Sequence, residues 1–482
     1  MTELPRDLMV SVSGVRGRVG EALTPEIVTR FASAFGAYVT TTAPTRPPKV
    51  VVARDSRTSG PLFARCVTAA LQSVGCEVLD VGLTPTPTAL LAVRYHRAAG
   101  AVVVTASHNP VEWNALKFAS SEAMFLDAEQ AARMRAFLDP AAVPRARWDG
   151  LGDVVPDPDA IERHVEAVLA IPFLDVKALR RRAFKVALDC VRGAGGVLLP
   201  RLLRELGCTV VGIHLEPDGR FPRPPEPVPE NLAELERLVR DSGADVGLAT
   251  DPDADRLSLV SERGRALGED YTLALAAALV LRHRKGAVVT NLSTSRVVED
   301  AAAAAGVPLY RAPVGEIHVA RRMQAVGAIV GGEGNGGVIL PDVHLTRDAA
   351  VASVLLLQLL LEEGRPLAAL LASRPAYTIV KDKLPREGAA PEEAYDALAV
   401  ELPAPDVDRQ DGLRLAWPEQ VKWLHVRASG TEPILRMIAE AATAAEAHAL
   451  VARARDALAR ARQAPGSGQS FAAPGRKSKV ES

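Results

Sequence analysis

Three aspartates alternate in the segment GLATDPDADRLSLV, and they are the side chains in this chain best suited to chemistry. Asp251, Asp253 and Asp255 lie between two apolar stretches, so their carboxylates are close together and repel one another. A hard divalent cation removes that repulsion. A small ligand set with an open side suits Mg²⁺, which keeps waters or a substrate phosphate in its shell. The sequence therefore predicts a magnesium site at this loop.

Two other interpretations of the same loop fit less well. An EF-hand calcium loop would use Glu262 at its twelfth position. Arg256, however, stands at the sixth position, where that loop requires glycine, and both flanks indicate strands rather than helices. A solvated acidic turn disagrees with the apolar flanks. The magnesium interpretation is therefore favoured.

A serine at the end of the apolar run VVVTASHNP is the candidate nucleophile. Ser107 follows three valines, so it is expected at the end of a buried strand, where a hydroxyl can take part in acyl or phosphoryl transfer. The segment lacks the G-x-S-x-G elbow of α/β hydrolases. His108 is a poor general base for Ser107 because adjacent side chains on an extended chain point in opposite directions. Taken alone, the loop fits an ordinary turn better than a site.

A glycine-rich loop, IVGGEGNGGVILP, offers Glu333 and Asn335 as its specifying side chains. A carboxylate and an amide suit sugar hydroxyls or an amino group, although glycines of this kind also serve tight turns. The loop has no G-x-G-x-x-G that opens a helix and no G-x-x-x-x-G-K-[ST]. Dinucleotide-binding and P-loop functions therefore lack support.

A second polar loop, VRASGTEP, has the composition of a phosphate cradle. Several hydrogen-bond donors fall within five residues: Arg427, Ser429, the backbone at Gly430, and Thr431. A plain polar turn between two strands explains this loop equally well when it is considered alone.

The elements that must position these loops are predicted by a threefold repeat. PPKVVVARDSRTSG, FKVALDCVRGAGG and GAVVTNLSTS each read as a strand that enters a Gly/Ser-containing turn, followed by a helix, a glycine and a second strand. This βαβ order favours parallel strands and predicts three related α/β domains. Ligands bind outside the carboxyl ends of such strands, so the site is expected in the loops that follow them.

Composition sets the expected domain boundaries. The proline-rich stretch LDPAAVPRARWDGLGDVVPDPDA closes the first domain, whereas EPDGRFPRPPEPVPEN is interpreted as a long loop within the second. KWLHVRASGTEPILRMIAEA predicts two strands around a polar turn in a smaller α+β domain. We expect domains at 1–152, 153–257, 258–374 and 375–463, with a disordered tail at 464–482.

Bulk properties exclude several classes of protein. The chain has 482 residues and a formal net charge of -1, which argues against a general nucleic-acid binder. The N-terminus has no secretion signal, and no apolar segment is long enough to cross a bilayer. Four scattered cysteines without metal-ligand spacing indicate reduced, mostly buried thiols in a cytoplasmic protein: Cys66, Cys76, Cys190 and Cys208.

The four polar loops, in this order over about 330 residues, resemble the α-D-phosphohexomutase superfamily of phosphoglucomutases, phosphomannomutases and phosphoglucosamine mutases. TASHNP resembles the phosphoserine loop, DPDADR the metal loop, GEGNGG the sugar-recognition loop and RASGTEP the phosphate-binding loop. The resemblance runs from SVSGVRGRVGEALTP to VRASGTEPILRM. It implies an α/β fold of three related domains with mixed sheets, plus a smaller C-terminal α+β domain, around a central cleft.

The resemblance also implies a mechanism. Ser107 is phosphorylated in the active enzyme, and one Mg²⁺ per chain is bound by a phosphoserine oxygen and the three aspartates. The phosphoryl group passes to a sugar monophosphate, and the hexose 1,6-bisphosphate reorients and returns its other phosphate to Ser107. Such transfer depends on in-line positioning and charge neutralisation. Glu333 and Asn335 then hold sugar hydroxyls, while the VRASGTEP loop holds the phosphate that is not in transfer.

Three basic residues gain roles from the same resemblance. Lys117, ten residues after Ser107, matches a lysine beside the phosphoserine, and Arg16 matches an arginine near the same phosphate. Both are candidates for general acid/base catalysis; from sequence alone, Lys117 could equally be a surface lysine on a strand. Arg256 is expected to touch phosphate or to hold the metal loop.

The sequence departs from the family pattern at four positions. Pro252 and Ala254 replace glycines of the metal loop without loss of a carboxylate. In the sugar loop, Asn335 stands for a serine and Gly337 for a histidine, so any role of that histidine is absent or supplied elsewhere. GEGNGG together with HNPVEWNALKF looks most like archaeal-type phosphoglucosamine mutases.

The predicted activity is therefore the interconversion of glucosamine 6-phosphate and glucosamine 1-phosphate, with a small phosphosugar as partner, no nucleic acid or membrane, and a monomeric or homodimeric state. The first alternative is a phosphomannomutase/phosphoglucomutase. A non-catalytic phosphosugar-binding regulator predicts a damaged Ser107 or metal loop, and both are intact in the sequence. A metal-dependent phosphatase would instead use Asp251 as its own nucleophile.

Overall fold

The chain is seen here in a computed structural model that describes residues 4–12, 14–44, 46–386, 391–429 and 434–463. Two compact units divide it, one ending at Ala376 and the other beginning at Tyr377. The first unit contains three α/β modules in succession. The predicted disordered tail, residues 464–482, lies outside the described residues.

The first module is built on a seven-stranded mixed sheet. Its elements are β1 (Met9–Ser11), β2 (Gly14–Arg18), α1 (Pro25–Thr42), β3 (Lys49–Arg54), α2 (Gly60–Gln72), β4 (Glu77–Leu83), α3 (Thr86–His96), β5 (Gly100–Val104), β6 (Trp113–Ser120), α4 (Ala128–Arg135) and β7 (Val154–Pro156). The strand order is β1-β2-β6-β5-β3-β4-β7. Strand β7 follows the predicted boundary at residue 152, yet it pairs in parallel with β4 at the edge of this sheet.

The second module has a four-stranded sheet in the order β11-β10-β8-β9. Its elements are α5 (Ala160–Leu169), α6 (Val176–Arg182), β8 (Lys185–Asp189), α7 (Gly195–Glu205), β9 (Thr209–Ile213), α8 (Ala233–Ser242), β10 (Val246–Thr250) and β11 (Leu257–Ser261). The stretch EPDGRFPRPPEPVPEN connects β9 to α8, so it is a loop within this module, as the sequence predicts.

The third module repeats the same plan in the order β13-β12-β14-β15. Its elements are α9 (Asp270–His283), β12 (Val288–Asn291), α10 (Arg296–Ala305), β13 (Leu309–Ala312), α11 (Glu316–Val326), β14 (Val330–Glu333), β15 (Gly337–Ile339), α12 (Ala349–Glu363) and α13 (Leu367–Ala372).

The three modules place their polar loops at one topological position. In each, the predicted βαβ unit gives two parallel strands: β3 with β4, β8 with β9, and β12 with β13. The next parallel strand ends in the polar loop and is followed by an antiparallel partner: β5 with β6, β10 with β11, and β14 with β15. The βαβ prediction is confirmed, and each sheet is mixed because of its antiparallel strand.

Burial explains why these strands form where they do. Strands β5 and β10 are buried along their whole length, as their apolar residues require between helical layers. Helix α12 is apolar on nearly all sides and is buried over its first twelve residues. It begins at Asp348, whose Oδ1 accepts the N–H of Ala350 at 2.8 Å, and ends at Gly364 with a left-handed φ of 63°.

The second unit has an antiparallel five-stranded sheet in the order β16-β20-β19-β18-β17. Its elements are β16 (Thr378–Pro385), α14 (Pro391–Glu401), β17 (Asp406–Asp408), β18 (Leu413–Trp417), β19 (Lys422–Ala428), β20 (Ile434–Ala441) and α15 (Ala444–Gln463). Its core is formed by Leu415, Val426, Met437 and Ala454 among others. Strands β19 and β20 flank the polar turn that the sequence predicts, and the unit is α+β.

All four cysteines are free thiols; Cys76, Cys190 and Cys208 are buried and Cys66 is partly buried. Burial is the main reason that the pKa values of these three buried thiols are raised, to about 11 for Cys76 and about 12 for Cys208. Among the described helices, none combines the length and the apolar character needed to span a membrane.

Candidate active site

Ser107 lies in the tight loop that follows β5. Its side chain is nearly buried, and its backbone adopts a left-handed φ of 48°, which is costly for a residue other than glycine. The N–H of Ser107 donates to Thr105 Oγ1 at 3.0 Å, and that hydroxyl donates to Asp55 Oδ2 at 2.7 Å. The surrounding hydrogen bonds hold the strained conformation and fix the direction of the serine hydroxyl.

Arg57 organises the same loop and was not identified from the sequence. Its guanidinium is fully buried, pairs with Asp55 at 3.1 Å, and stacks 5.0 Å from the ring of Phe221. It also donates to four backbone carbonyls, those of Ser107 at 2.7 Å, Asn109 at 2.6 Å, Pro110 at 2.6 Å and Trp113 at 2.8 Å. One cation thus gathers the carbonyls of the loop around Ser107.

The three aspartates of the metal loop are buried, and one oxygen from each lies within 4.8 Å of the other two. Ser107 Oγ donates to Asp251 Oδ2 at 2.8 Å, which brings the first and second modules together. The structure therefore places the predicted nucleophile and the predicted metal ligands in one site. Ala254 adopts a left-handed φ of 51° there, so the loop keeps a conformation suited to glycine without having one.

The unpaired oxygens of this cluster match a cation site. Within the described residues, Asp253 Oδ1 and Asp255 Oδ1 are buried and have no hydrogen-bond partner. Leaving buried acceptors unpaired is costly unless something binds them. An all-oxygen set of this kind suits a hard divalent cation such as Mg²⁺, so the residues present fit the predicted ion.

Lys117 also lies in the site, rather than on the surface. Its Nζ is 2.7 Å from Asp253 Oδ2 and 3.8 Å from Asp255 Oδ2, and its side chain is 12% exposed. Burial opposes the charged form of Lys117, but the charges of both aspartates outweigh it and raise its pKa. Lys117 is therefore a protonated group held beside the aspartate cluster.

The aspartates titrate differently because their neighbours differ. Burial, followed by the charges of Asp255 and Asp253, raises the pKa of Asp251 well above its ordinary value. Burial acts in the same direction on Asp253, but Lys117 and the hydroxyl of Thr86 lower the pKa of Asp253 overall. The charged form of Asp251 is therefore disfavoured in this cluster, and the positive charge of a divalent cation would favour it.

Two other candidates, Arg16 and Arg256, surround the serine loop. Arg16 Nη1 donates to Asn109 Oδ1 at 3.3 Å, which ties β2 to the loop. The backbone N–H of Arg256 donates to Asp251 Oδ1 at 3.4 Å, and its Nη1 donates to Glu226 Oε1 at 3.3 Å. Arg256 thus braces the metal loop while its guanidinium stays beside the site.

His108 belongs to the loop, and its position does not suggest a base for Ser107. Its Nε2 is 4.0 Å from Glu226 Oε1. The charge of Arg256, together with burial and the charge of Arg16, lowers the pKa of His108 well below its ordinary value. The imidazole is therefore neutral near pH 7.

The glycine-rich loop fixes Glu333 at the end of β14. Glu333 Oε1 accepts from Asn291 Nδ2 at 2.8 Å and from the N–H of Gly315 at 2.9 Å. Asn335 bridges the turn, donating to Glu333 Oε2 at 3.5 Å and accepting from the N–H of Gly337 at 3.2 Å. Asn291 was missed from the sequence, although it ends a strand of the repeat.

A third missed residue, Arg347, connects the metal loop to this glycine-rich loop. Its Nη2 donates to Asp255 Oδ2 at 2.5 Å and its Nη1 to Glu333 Oε2 at 2.7 Å. Asp255 is 92 residues away in the chain and Glu333 is 14 residues away, so no local sequence pattern marks these contacts.

In the second unit, Arg427 is the next-to-last residue of β19, and its Nε is 3.1 Å from Asp411 Oδ2. The N–H of Ser429 donates to the carbonyl of Ile434 at 2.9 Å and so closes the base of the polar turn. The other two predicted phosphate-binding residues, Gly430 and Thr431, lie outside the described residues.

Taken together, the first unit presents a hydroxyl, three buried carboxylates and a largely buried ammonium within one cluster, and two of the carboxylates have an oxygen without a hydrogen bond among the described residues. Such a set can carry a phosphoryl group on the hydroxyl, bind a divalent cation and donate a proton. These groups do not support the α/β hydrolase alternative, because the hydroxyl of Ser107 donates to Asp251 and His108 lies beside Glu226.

Comparison with family models assigns every module of the chain. Residues 8–141, 162–264 and 268–377 match the models for α/β/α domains I, II and III of phosphoglucomutase/phosphomannomutase, and residues 380–457 match its C-terminal domain. The four models follow one another in this order and together account for most of the chain.

Two curated relatives match nearly the whole chain. A probable phosphoglucosamine mutase of Methanopyrus kandleri is 38% identical over 443 residues, covering 89% of this chain and 93% of that protein. A phosphoglucomutase/phosphomannomutase of Thermococcus kodakarensis is 39% identical over 433 residues, with the same two coverages of 89% and 93%.

The fold is also that of a solved structure. A phosphoglucomutase/phosphomannomutase family protein from Burkholderia thailandensis superposes with a TM-score of 0.82 at 27% identity. The match covers 95% of this chain and 99% of that one.

Proposed function

Because the chain belongs to the phosphoglucomutase/phosphomannomutase family, within the α-D-phosphohexomutases, we propose that it is a phosphoglucosamine mutase that interconverts glucosamine 6-phosphate and glucosamine 1-phosphate. The family membership makes the chain a phosphohexomutase, an isomerase that acts by intramolecular phosphotransfer. One observation carries the mechanism: the hydroxyl of Ser107 is hydrogen-bonded to Asp251 within the aspartate cluster.

In this mechanism, Asp251, Asp253, Asp255 and the phosphorylated Ser107 hold one Mg²⁺. The unpaired oxygens of Asp253 and Asp255 support this assignment. When bound, the ion acts as a Lewis acid that neutralises charge on the phosphoryl group being transferred. Arg57 keeps the serine loop in place throughout, since it binds the backbone of the loop rather than its side chains.

Ser107 gives its phosphoryl group to one end of the sugar monophosphate and takes back the phosphate at the other end after the hexose 1,6-bisphosphate has reoriented. Lys117 is assigned as general acid for the oxygen released from phosphorus, because its ammonium lies within the aspartate cluster, 2.7 Å from Asp253 Oδ2. Arg16 anchors Asn109 and adds positive charge beside the transferred phosphate.

The sugar is held by Glu333 and Asn335, with Arg256 on the phosphate side of the same ligand. Glu333 is kept ionised because the charge of Arg347 and the hydrogen bond from Asn291 outweigh burial and lower its pKa. A carboxylate in this state accepts hydroxyl or ammonium hydrogens. The phosphate not in transfer is assigned to four residues of the second unit, Arg427, Ser429, Gly430 and Thr431.

The choice of glucosamine rests on the motifs GEGNGG and HNPVEWNALKF and on similarity to the probable phosphoglucosamine mutase of Methanopyrus kandleri. A phosphomannomutase/phosphoglucomutase is the alternative, supported by the Thermococcus relative at similar identity. The substrates of these two candidate enzymes differ at C2 of the sugar. Glucosamine carries an ammonium there, with which a carboxylate such as Glu333 can pair.

Turnover separates these substrates. Purified protein with Mg²⁺ and catalytic hexose 1,6-bisphosphate is assayed with the 6-phosphates of glucosamine, mannose and glucose at matched concentrations. The proposal expects the highest kcat/KM with glucosamine 6-phosphate. A lower kcat/KM for glucosamine 6-phosphate than for both other sugars would assign the chain to the phosphomannomutase/phosphoglucomutase alternative.

The covalent intermediate distinguishes the mutase from the remaining two alternatives. Intact-protein and peptide mass spectrometry after incubation with hexose 1,6-bisphosphate should locate phosphate on Ser107. Phosphate confined to Asp251 indicates the phosphatase mechanism, and binding of phosphosugar without any phosphoprotein or turnover indicates the regulator.

A further inference from the structure

Arg347 joins three carboxylates that come from separate parts of the first unit. Besides Asp255 and Glu333, its Nε donates to Glu316 Oε2 at 3.1 Å, and its backbone N–H donates to Glu316 Oε1 at 3.1 Å. The hydroxyl of Thr346 binds the same oxygen of Glu316. The guanidinium is buried, and the charges of the three acids outweigh burial and raise its pKa well above the ordinary value.

The path of the Arg347 side chain requires a glycine at position 337, where β15 begins. A Cβ on Gly337 would lie 2.2 Å from Arg347 Cδ and 2.8 Å from its Cγ. The φ of Gly337 is not in the left-handed region, so the backbone alone does not demand glycine there. The space that a side chain at position 337 would fill is therefore occupied by the aliphatic stem of Arg347.

The guanidinium of Arg347 binds one oxygen of each of the three acids. The second oxygen of each acid is left for a different partner. On Asp255, Arg347 binds Oδ2, while Oδ1 has no hydrogen-bond partner among the described residues and lies 3.7 Å from Arg256 Nε. On Glu333, it binds Oε2, while Oε1 is held by Asn291 and Gly315. Only a planar guanidinium with several donors can meet three acids at once, and a lysine ammonium cannot reproduce this geometry.

We propose that Arg347, running through the space left by Gly337, is a positioning residue that fixes the metal loop and the glycine-rich loop relative to each other. This rests on the proposed function, because the phosphosugar is the ligand that both loops must meet together. Arg347 acts through Asp255 and Glu333, so its loss disturbs sugar placement more than the chemical competence of Ser107.

The first test needs no substrate. Hydrogen–deuterium exchange is compared for peptides covering residues 250–257 and 331–338 in the wild type, Arg347→Lys and Gly337→Ala. Arg347→Lys keeps the positive charge but loses the contacts to the three acids. Gly337→Ala keeps Arg347 but displaces its side chain. Both variants should show faster exchange in both peptides. Unchanged exchange in either peptide overturns the proposal.

Matched controls separate the bridge from general damage. Gly268→Ala places a Cβ with its nearest neighbour 4.0 Å away, so this substitution meets open space. Arg94→Lys alters another partly buried arginine of the first unit, which donates to the carbonyl of Val343 at 2.5 Å and to neither acid. Both controls should leave exchange of the two peptides at the wild-type rate.

A double-mutant cycle tests the pairing of Gly337 with Arg347. Gly337→Ala alone should lower kcat/KM about tenfold, mainly through KM, as losses at supporting residues commonly do. In an Arg347→Ala background there is no long side chain to displace, so Gly337→Ala should change kcat/KM less than about twofold. Additive losses would show that Gly337 does not act through Arg347.

The cycle is run with whichever of the three hexose phosphates is turned over best, so it does not depend on glucosamine being the substrate. If no hexose phosphate is turned over, the proposed function fails, and the exchange experiment still decides whether the bridge exists. A fall in kcat at unchanged KM for Gly337→Ala would contradict a positioning role.

Discussion

Ser107 and Asp251 are 144 residues apart in the chain, and their side chains are hydrogen-bonded at 2.8 Å. The bond joins the loop after β5 in the first module to the loop after β10 in the second. It places the hydroxyl at the edge of three buried carboxylates, two of which have an unpaired oxygen. A phosphate on that hydroxyl would therefore share its cation with the aspartates.

Substitution of Ser107 by alanine should abolish turnover while preserving the fold. The Ser107 hydroxyl is the only group of the protein that the proposed mechanism phosphorylates, so kcat is expected to fall by about 10⁴-fold or more. The lost hydrogen bond to Asp251 is of modest energy, about 1 kcal/mol, so the melting temperature should change little. Coupled turnover assays and thermal unfolding measure the two quantities.

His108→Asn is the matched control for this substitution. His108 is adjacent to Ser107, but its imidazole is neutral and lies beside Glu226, whereas the Ser107 hydroxyl donates to Asp251. His108→Asn should therefore retain turnover within about tenfold of the wild type. Loss of activity equal to that of Ser107→Ala would give the imidazole a catalytic role. Undiminished turnover in Ser107→Ala would refute the nucleophile assignment.

Asp253→Asn should weaken Mg²⁺ binding about 100-fold. The substitution removes one charged oxygen ligand, and it also removes the carboxylate that pairs with Lys117. Isothermal titration calorimetry with MgCl₂ measures the affinity directly, without turnover. Asp241→Asn, on the exposed end of α8, removes an equal charge away from the site and should leave the affinity unchanged. Equal affinities in both variants would exclude Asp253 as a ligand.

Arg57→Met should destabilise the protein by about 3–5 kcal/mol, because it leaves Asp55 as a buried charge without its cation. The four loop carbonyls also lose their donor, so kcat/KM should fall along with stability. Urea unfolding gives the free energy. Arg54→Met, which removes a neighbouring arginine with one hydrogen bond to the Asp55 carbonyl, should cost about 1 kcal/mol. A similar cost for both arginines would contradict the central role of Arg57.

The second unit should lose stability on mild acidification because of His425. Burial lowers the pKa of His425 to about 4, while its Nε2 bonds the carbonyl of Asp411 at 2.7 Å. The unfolded chain, with an ordinary histidine pKa of about 6.5, then binds more protons than the folded one between these values. The contribution of His425 to the free energy of unfolding is therefore fully present above about pH 6.5. It is lost as the pH falls toward 4, and the total loss is about 3 kcal/mol.

Hydrogen exchange in the peptides of β18 to β20 measures this loss between pH 7 and pH 5, after correction for the intrinsic rate. His425→Gln should remove the pH dependence from these strands. His448→Gln, at an exposed position of α15, should leave it intact. A wild-type profile that is flat over this range would show that His425 is not the responsible group.

The sequence predicted the four polar loops and the order of strands and helices because both depend on local patterns. Alternating aspartates, a serine after three valines and the βαβ repeat are all visible within about thirty residues. Lys117 needed the family resemblance, since its burial comes from a strand pairing that the local pattern does not reveal. The α/β architecture and the mixed sheets agree with the structure.

Arg57 and Arg347 could not be predicted in the same way. The partners of Arg57 are mostly backbone carbonyls, which no sequence pattern marks, and those of Arg347 lie in loops that meet only after folding. The signal for Arg57 was present but weak: it follows Asp55 by two residues, directly after a strand. For Arg347, the one sequence hint was Gly337 in place of the histidine of the family pattern, and the structure shows that the stem of Arg347 lies where a side chain at that position would be.

The shared strand order of the three modules gives their polar loops equivalent positions. The predicted nucleophile Ser107, the predicted metal ligands and Glu333 each follow the corresponding strand of their own module. The scaffold is therefore separate from the chemistry, because the same arrangement of strands carries a different set of polar side chains in each module. Exchange of whole loops between modules would move a chemical role to a new place while preserving the sheet beneath it.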